Sequence, residues 1–422
     1  MIVIYTPKVT NRIKYVFDFV FEQYFGMTYF VTENKDESIN EDDILLVYAG
    51  INPVSGFSIF QDNLLLEETI AEQRIYVSRE NNLPVFFQTD EHFNISFDIF
   101  SCIFYLITRY EEYLPHTTDA HGRYLSSNSI LAKKEFSFRP IVEEWLFYFK
   151  EELIRHFPQL EIKEHTFRYI PTFDIDQAYR FLGRNWLKHP PNIFAKDALA
   201  VLFQKKQDPY DVYDFIFREL ESYNLQPVFF FLLNDEGVNN SKVSPKSKKL
   251  EQLILQVASA NYPTGIHPAY DALKELTLLQ EAELLTAITG NKTNIARQHF
   301  LNIRFPDYYK ELVKAEITDD YSIAYPDVIG CRAGTTQAFP FYNLTENKVY
   351  NLQIHPAVWM DATFAYYQTE KKNEQIMKDF SDFVLHLRKI NGILVTIYHN
   401  DLLATDKYRY LFQTINQQVN KF

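Results

Sequence analysis

In "RYIPTFDIDQAYR" (residues 168–180) an apolar and aromatic run ends in two carboxylates, Asp174 and Asp176, one residue apart. Like charges this close raise a pKa and cost stability unless a proton or a cation resolves the conflict. Candidates for holding a cation follow along the chain. "GIHPAYD" supplies His267, "RQHF" supplies Arg297 and His299, and "VTIYHN" ends a predicted strand in His399. Carboxylate plus imidazoles is a donor set suited to zinc or a similar divalent ion. A cation held by Asp176 would relieve the repulsion and leave Asp174 ionised beside it, placed to take a proton from an attacking water. Each piece alone has a plain structural reading. Paired acids cap helices, a histidine before a proline bonds backbone, an arginine partners a carboxylate, and a strand-end histidine is half buried. Their order and their shared position at predicted strand ends favour the chemical reading.

The elements that must place these residues alternate. After "QLEIKEHT" come the strand "FRYIPTFDID", the helix "YDVYDFIFRELESYNL", the strand "QPVFFFLL", a helix around "KKLEQLILQVASAN" and the strand "PTGIHP". A helix before residue 290, the strand "IARQHFLNI", the helix "FPDYYKELVKAE", the segment "YSIAYP", the helix "KNEQIMKDFSDFVLHLRKIN" and the strand "GILVTIYHN" complete the series. In this reading Arg297 and His299 alternate on one face of their strand. Such alternation predicts parallel βα units. Residues 166–422 have the size of one closed or nearly closed βα barrel, whose chemistry sits where strands end. Residues 1–165 read as a smaller α/β domain, with strands "DILLVYAG" and "LPVFFQ" and helices in 97–114 and 140–157. Its segment "LPHTTDAHGRYLSSNS", with His116, Asp119 and His121, reads as a polar loop.

Composition narrows the function classes. The chain has 422 residues, 46% of them apolar, and a formal charge of −13. That charge disfavours nucleic-acid and anionic-membrane partners. Eleven glycines argue against a glycine-rich nucleotide cradle, and two cysteines, Cys102 and Cys331, supply neither a disulfide framework nor a thiolate metal site. No basic segment leads into a long apolar one at the start, and no apolar run is long enough to span a membrane. The expectation is a soluble, cytoplasmic protein.

The second part resembles the NodB-type polysaccharide deacetylases, a family of distorted (β/α) barrels that remove acetyl groups from N-acetylated sugars with a divalent metal. Thr172-Phe173-Asp174-Ile175-Asp176 is similar to the family's Thr-Phe-Asp-Asp motif with one residue inserted. The resemblance implies that Asp174 is the general base and Asp176 a metal ligand. His267 matches the first histidine of the His-Ser/Thr-x-x-His motif, whose second histidine is replaced by Asp271. The third ligand is then His299 or Asp271; His299 keeps the family's imidazole chemistry and is preferred. Arg297-Gln298-His299-Phe300 stands where the family has Arg-x-Pro-Tyr. His399 takes the place of the histidine that acts as acid, and Asp361 in "WMDATF" that of the aspartate orienting it. Either Arg297 or Arg332, in "GCRAGTT", could hold the base ionised or bind substrate hydroxyls. Tyr179, Tyr270 and Trp359 could stack on sugar rings, whereas His355 reads as structural.

The resemblance implies a metal-dependent, most simply zinc-dependent, carbohydrate N-deacetylase. With a cytoplasmic location expected, its substrate would be a lipid- or nucleotide-linked glycan precursor rather than a finished wall. Two other readings remain: a hydrolase of the same fold acting on another amide, such as a small cyclic one, and a non-catalytic carbohydrate-binding protein with a degenerate metal site. Binding alone needs neither a base nor an acid, so Asp174, Asp176 and His399 together weigh against the last.

Overall fold

The longest strand pairing is built from residues that favour extended chain. Ile393–His399 (ILVTIYH) is rich in β-branched and aromatic side chains and pairs in parallel with Arg168–Ile175, from Ile393 opposite Arg168 to His399 opposite Asp174. That register sets His399 beside the first of the two acids. The structure, a computed structural model, describes residues 1–34, 43–50, 56–89, 92–184, 188–189, 196–270 and 275–421.

These two strands lie within a nine-stranded sheet. Its order is Phe339–Asn343, Lys348–Ile354, Asp319–Asp320, Ile295–Ala296, Thr264–Ile266, Val228–Phe231, Arg168–Ile175, Ile393–His399 and Trp359–Met360. All neighbours are parallel except the first two, which form a hairpin. The sheet curls into a distorted (β/α) barrel. Its gap is spanned by a backbone hydrogen bond, Ala357 N–H donating to Ile323 O at 2.9 Å, in place of a full ladder. The period of two sorts the side chains. Val228, Phe230, Val395 and Ile397 fill the interior with Tyr321, Ala357 and Met360. Phe173, Phe229, Phe231, Leu394 and Tyr398 face outward into the helical layer with Leu253 and Phe412.

The first part carries a separate four-stranded parallel sheet, in the order Tyr29–Thr32, Ile2–Tyr5, Ile44–Ala49, Phe57–Phe60. Helices Asn11–Phe17, Ile99–Ile107 and Ile141–His156 pack their apolar faces with it. That core runs on without interruption into the outer layer of the barrel. At the junction the Tyr15 ring meets Tyr342 at 4.8 Å and its hydroxyl donates to Pro340 O at 2.8 Å. The two parts therefore share buried surface through the hairpin.

Several elements differ from the sequence reading. The strand expected over "IARQHFLNI" is only Ile295–Ala296, because Phe300 (φ 62°) and Leu301 (φ 52°) take left-handed conformations that turn the chain away. His299 is therefore in a turn and does not alternate with Arg297 on a strand. "LPVFFQ" shortens to Leu83–Val85, ending before Phe87 at φ 48°. The hairpin Phe339–Ile354 and the final helix Asp406–Asn420 carried no expectation.

Candidate metal and catalytic site

Along Arg168–Ile175, Phe173 and Ile175 enter the outer core, so the alternation turns Thr172 and Asp174 inward at the strand's C-terminal end. His267 leaves the end of Thr264–Ile266, Arg297 the end of Ile295–Ala296, Asp361 the end of Trp359–Met360 and His399 its own strand end. Chain topology thus gathers one mouth of the barrel, the end at which barrel enzymes carry their chemistry. Gly265 permits this crowding: a Cβ there would sit 2.7 Å from Ile295 O and 2.9 Å from the Phe230 ring. That ring lies 4.4 Å beneath the Arg297 guanidinium.

Three acceptors converge at the mouth. His267 Nδ1–H donates to Arg297 O at 2.6 Å, which leaves Nε2 facing the mouth. His299 Nε2–H donates to Asn239 O at 2.8 Å, which leaves Nδ1 as a lone pair. These two free nitrogens stand 3.0 Å apart, and Asp176 Oδ1 lies 3.1 Å from the first and 3.5 Å from the second. Burial, with His267 adding to it, pushes the His299 imidazole down to about 4 against the pull of Asp176. Asp176 Oδ1 is buried without a hydrogen-bond donor. The ligating atoms of Asp176, His267 and His299 all lie within 4.8 Å of one another. A divalent cation fits this donor set, and zinc suits it. The backbone carbonyls on the far ring nitrogens are the outer partners that orient metal-binding imidazoles.

Asp174 sits beside this triad in a different environment. Its Oδ1 accepts from Arg297 Nη1 at 2.8 Å. Arg297 is fully buried and also donates to Thr172 Oγ1 and Tyr321 O, at 2.6 and 3.0 Å. The other oxygen, Oδ2, lies 3.8 Å from His267 Nε2 and 4.0 Å from His399 Nε2. Asp361 accepts from His399 Nδ1–H at 2.6 Å and from the His399 backbone N–H at 2.8 Å. Burial opposes charging of the His399 ring. Asp361, through charge and hydrogen bond, outweighs burial, and Asp176 and Asp174 add to it, so His399 is held protonated well above its ordinary value. The site therefore pairs a carboxylate pinned by an arginine with an imidazolium whose free N–H points toward it, a base and an acid on two sides of the triad.

Arg332 is a correction. It is buried away from this mouth, with Nε and Nη2 on Glu112 at 2.9 and 2.6 Å, and Arg109 closes the same carboxylate at 2.8 Å. Two arginines and one glutamate tie the first part to the segment after the barrel gap. Arg332→Leu should lower stability by about 3–5 kcal/mol, the range for breaking a buried pair, while leaving metal binding unchanged. Chemical denaturation and metal content check the two halves of that expectation. Trp359 is a second correction: it is buried in the core against Tyr398 and Phe364, out of reach of a ligand. Tyr270 meets the mouth through His121 and the Phe300 ring, and Tyr179 lines a neighbouring groove. His355 is paired with Asp319 at 2.8 Å and stacked on Tyr321. Asp271 lies outside the described residues.

The structure adds residues that the sequence reading left as loop. A cavity of about 470 Å³ opens on the triad, lined by Asp174, Asp176, His299 and His399 together with Met360, Tyr366, Asp401, His121 and Arg123. Burial first, with Asp176 and Asp361 adding and His399 opposing, raises the Asp401 carboxyl to about 6. His121 and Arg123 come from the polar loop of the first part. Arg123 donates to Asp119 Oδ2 from Nε at 2.7 Å, to Phe300 O from Nη1 at 2.8 Å, and to the Tyr367 hydroxyl. It thereby clamps the left-handed turn that carries His299. The residue types in "HTTDAHGR" were the only available signal; nothing local in the sequence indicates a partner 177 positions away. Arg123→Ala should weaken metal binding about 10- to 100-fold, the usual cost of losing an outer partner of a ligand. Calorimetric titration of the metal-free protein with zinc measures this; an unchanged affinity would show that the loop does not position His299.

Residues 2–158 match a family described as being of unknown function (DUF7033). No curated protein matches the chain. Among solved structures, the chain is similar to a protein from Mycobacterium smegmatis provisionally named a polysaccharide deacetylase, with 13% identity, 62% of this chain and 86% of that one covered, and a TM-score of 0.42. PuuE allantoinase gives 11% identity, coverages of 60% and 85%, and a TM-score of 0.42. A mutant of BA3943, described as a pseudoenzyme of the CE4 family, gives 9% identity, coverages of 60% and 62%, and a TM-score of 0.29. The chemistry of this chain accordingly rests on its own side chains.

Proposed function

We propose that the protein is a metal-dependent hydrolase that removes acetyl groups from an N-acetylated carbohydrate. The observation that carries this reading is the grouping of three potential metal-ligating atoms within 4.8 Å of one another, Asp176 Oδ1, His267 Nε2 and His299 Nδ1, flanked by the Arg297–Asp174 and Asp361–His399 pairs. A bound divalent ion would supply Lewis acidity to the acetyl carbonyl and to the attacking water. Asp174, ion-paired with Arg297 at Oδ1, accepts the water's proton at Oδ2. His399, charged through Asp361, then gives its Nε2 proton to the departing nitrogen. Arg297 donates to Asp174 and Thr172 from Nη1 and to Tyr321 O from Nε, so its role in this reading is to position the base.

Acetate release by the zinc-loaded protein from chitooligosaccharides, set against ring opening of cyclic amides, tests the reading. Turnover of the acetylated sugars alone is expected. Turnover of cyclic amides alone would replace the substrate class, and zinc binding without either activity would leave a carbohydrate-binding protein.

A further inference from the structure

A second groove, of about 650 Å³, shares Asp176, His299, Phe300 and Asp401 with the first and runs away from the triad. Its lining is partly cationic: Arg180, Arg184 and Lys242 line it together with Tyr210. The two arginines are four residues apart on the loop that follows the acid-bearing strand. Arg184 Nη1 donates to Arg180 O at 2.9 Å, and the Arg180 guanidinium lies over the Phe181 and Tyr210 rings at 5.4 and 5.9 Å.

This lining is built and not merely solvated. The buried carboxylate of Asp208 accepts from the backbone N–H groups of Arg180, Phe181, Leu182 and Tyr210 at 2.8–3.1 Å, fixing the loop that presents both arginines. Gly183 sits at φ +65°, where a Cβ would meet Ser247 Oγ at 2.3 Å, so the turn has little room to move. Asp208 is occupied by backbone donors and forms no ion pair with either guanidinium. Among the described residues no carboxylate pairs with Arg180, Arg184 or Lys242, and Arg184 Nε is buried without an acceptor. Arg180 is exposed and open to a ligand, and the buried Arg184 Nε lacks a partner among the described residues, so an oxygen acceptor from outside would complete its hydrogen bonding. Asp176 and Asp401 line the same groove.

Resting on the deacetylase reading above, we propose that Arg180, Arg184 and Lys242 form a subsite for an oxyanion, phosphate or carboxylate, carried by the acetylated sugar whose N-acetyl group lies at the triad. Guanidinium forks match the planar or tetrahedral oxygens of such groups, and Tyr210 offers a face for the intervening ring.

Two measurements separate this inference from the reading on which it rests. The first is calorimetric titration of the metal-free protein with inorganic phosphate, which reads the subsite without the hydrolysis. Saturable binding is expected, weakened about tenfold or more in Arg184→Gln and, independently, in the exposed variant Lys242→Gln, in keeping with the loss of charge-assisted hydrogen bonds. Absent binding, or equal binding by wild type and both variants, overturns the subsite. The second compares kcat/KM of the zinc-loaded protein on N-acetylglucosamine, its 1-phosphate and the corresponding uronic acid. An advantage of about 10- to 100-fold for one charged sugar, expressed in KM and reduced at least tenfold by Arg184→Gln, assigns the anion as phosphate or carboxylate according to which sugar gains. Equal values for the three sugars overturn the subsite and leave the deacetylase reading standing. Phosphate binding that the variants abolish, with no acetate released from any sugar, upholds the subsite and overturns the deacetylase reading.

Discussion

Asp176→Asn is expected to retain no zinc after loading and dialysis, and to lose turnover by more than about 10⁴-fold, because the whole Lewis-acid contribution leaves with the ion. The physical reason is the geometry of the triad. Two imidazole nitrogens and one carboxylate oxygen face a common point, and only the carboxylate supplies negative charge to balance a dication. His299→Ala should also strip the metal, whereas Asp271→Ala should leave it bound. Metal content by elemental analysis on each purified variant decides the matter. Full occupancy in His299→Ala with loss in Asp271→Ala would transfer the third ligand to Asp271 and make the proximity of His299 incidental. Asp174→Asn provides the internal contrast: it should keep the metal and lose turnover, since an amide cannot accept the water's proton.

His399→Ala is expected to keep the metal and lose about 10²–10⁴-fold in kcat on an N-acetylated sugar, the usual range for one general acid. On an aryl acetate, whose leaving group needs no proton, the loss should be far smaller. The ratio of the two losses is the measurement, and equal losses would make His399 a positioning or binding residue. The pH profile gives a second check with a definite sign. His399 is held protonated above its ordinary value by Asp361, with Asp176 and Asp174 adding, against the cost of burial. As an acid it must carry its proton, so activity on the amide should fall as pH rises through the raised value. A dication on Asp176 cancels part of the charge that raises it. The alkaline limb should then lie lower in the zinc-loaded enzyme than the titration of His399 in the metal-free protein, and should flatten on the aryl ester.

The period of two in "TFDID" and the β-branched run of "ILVTIYH" are local properties, and they were enough to place Asp174, Asp176 and His399 at strand ends, while the alternation of strands and helices over residues 166–422 predicted a βα barrel. The residue types were enough to mark His267 and Arg297 as candidates, and the family resemblance of "WMDATF" added Asp361. What the sequence could not decide were contacts between distant segments. Arg297 and Arg332 look equivalent along the chain, but one meets Asp174 across the barrel mouth and the other is neutralised by Glu112 from the first part. His299 was read on a strand, but it turns inward at the left-handed Phe300, held by an arginine 177 residues earlier. His121 and Arg123 read as loop because their partners, Tyr270, Phe300 and Tyr367, become neighbours only when the two parts close over one core. Local periodicity sets which way a side chain points. Which charge it meets is set by the long-range packing that brings its partner there.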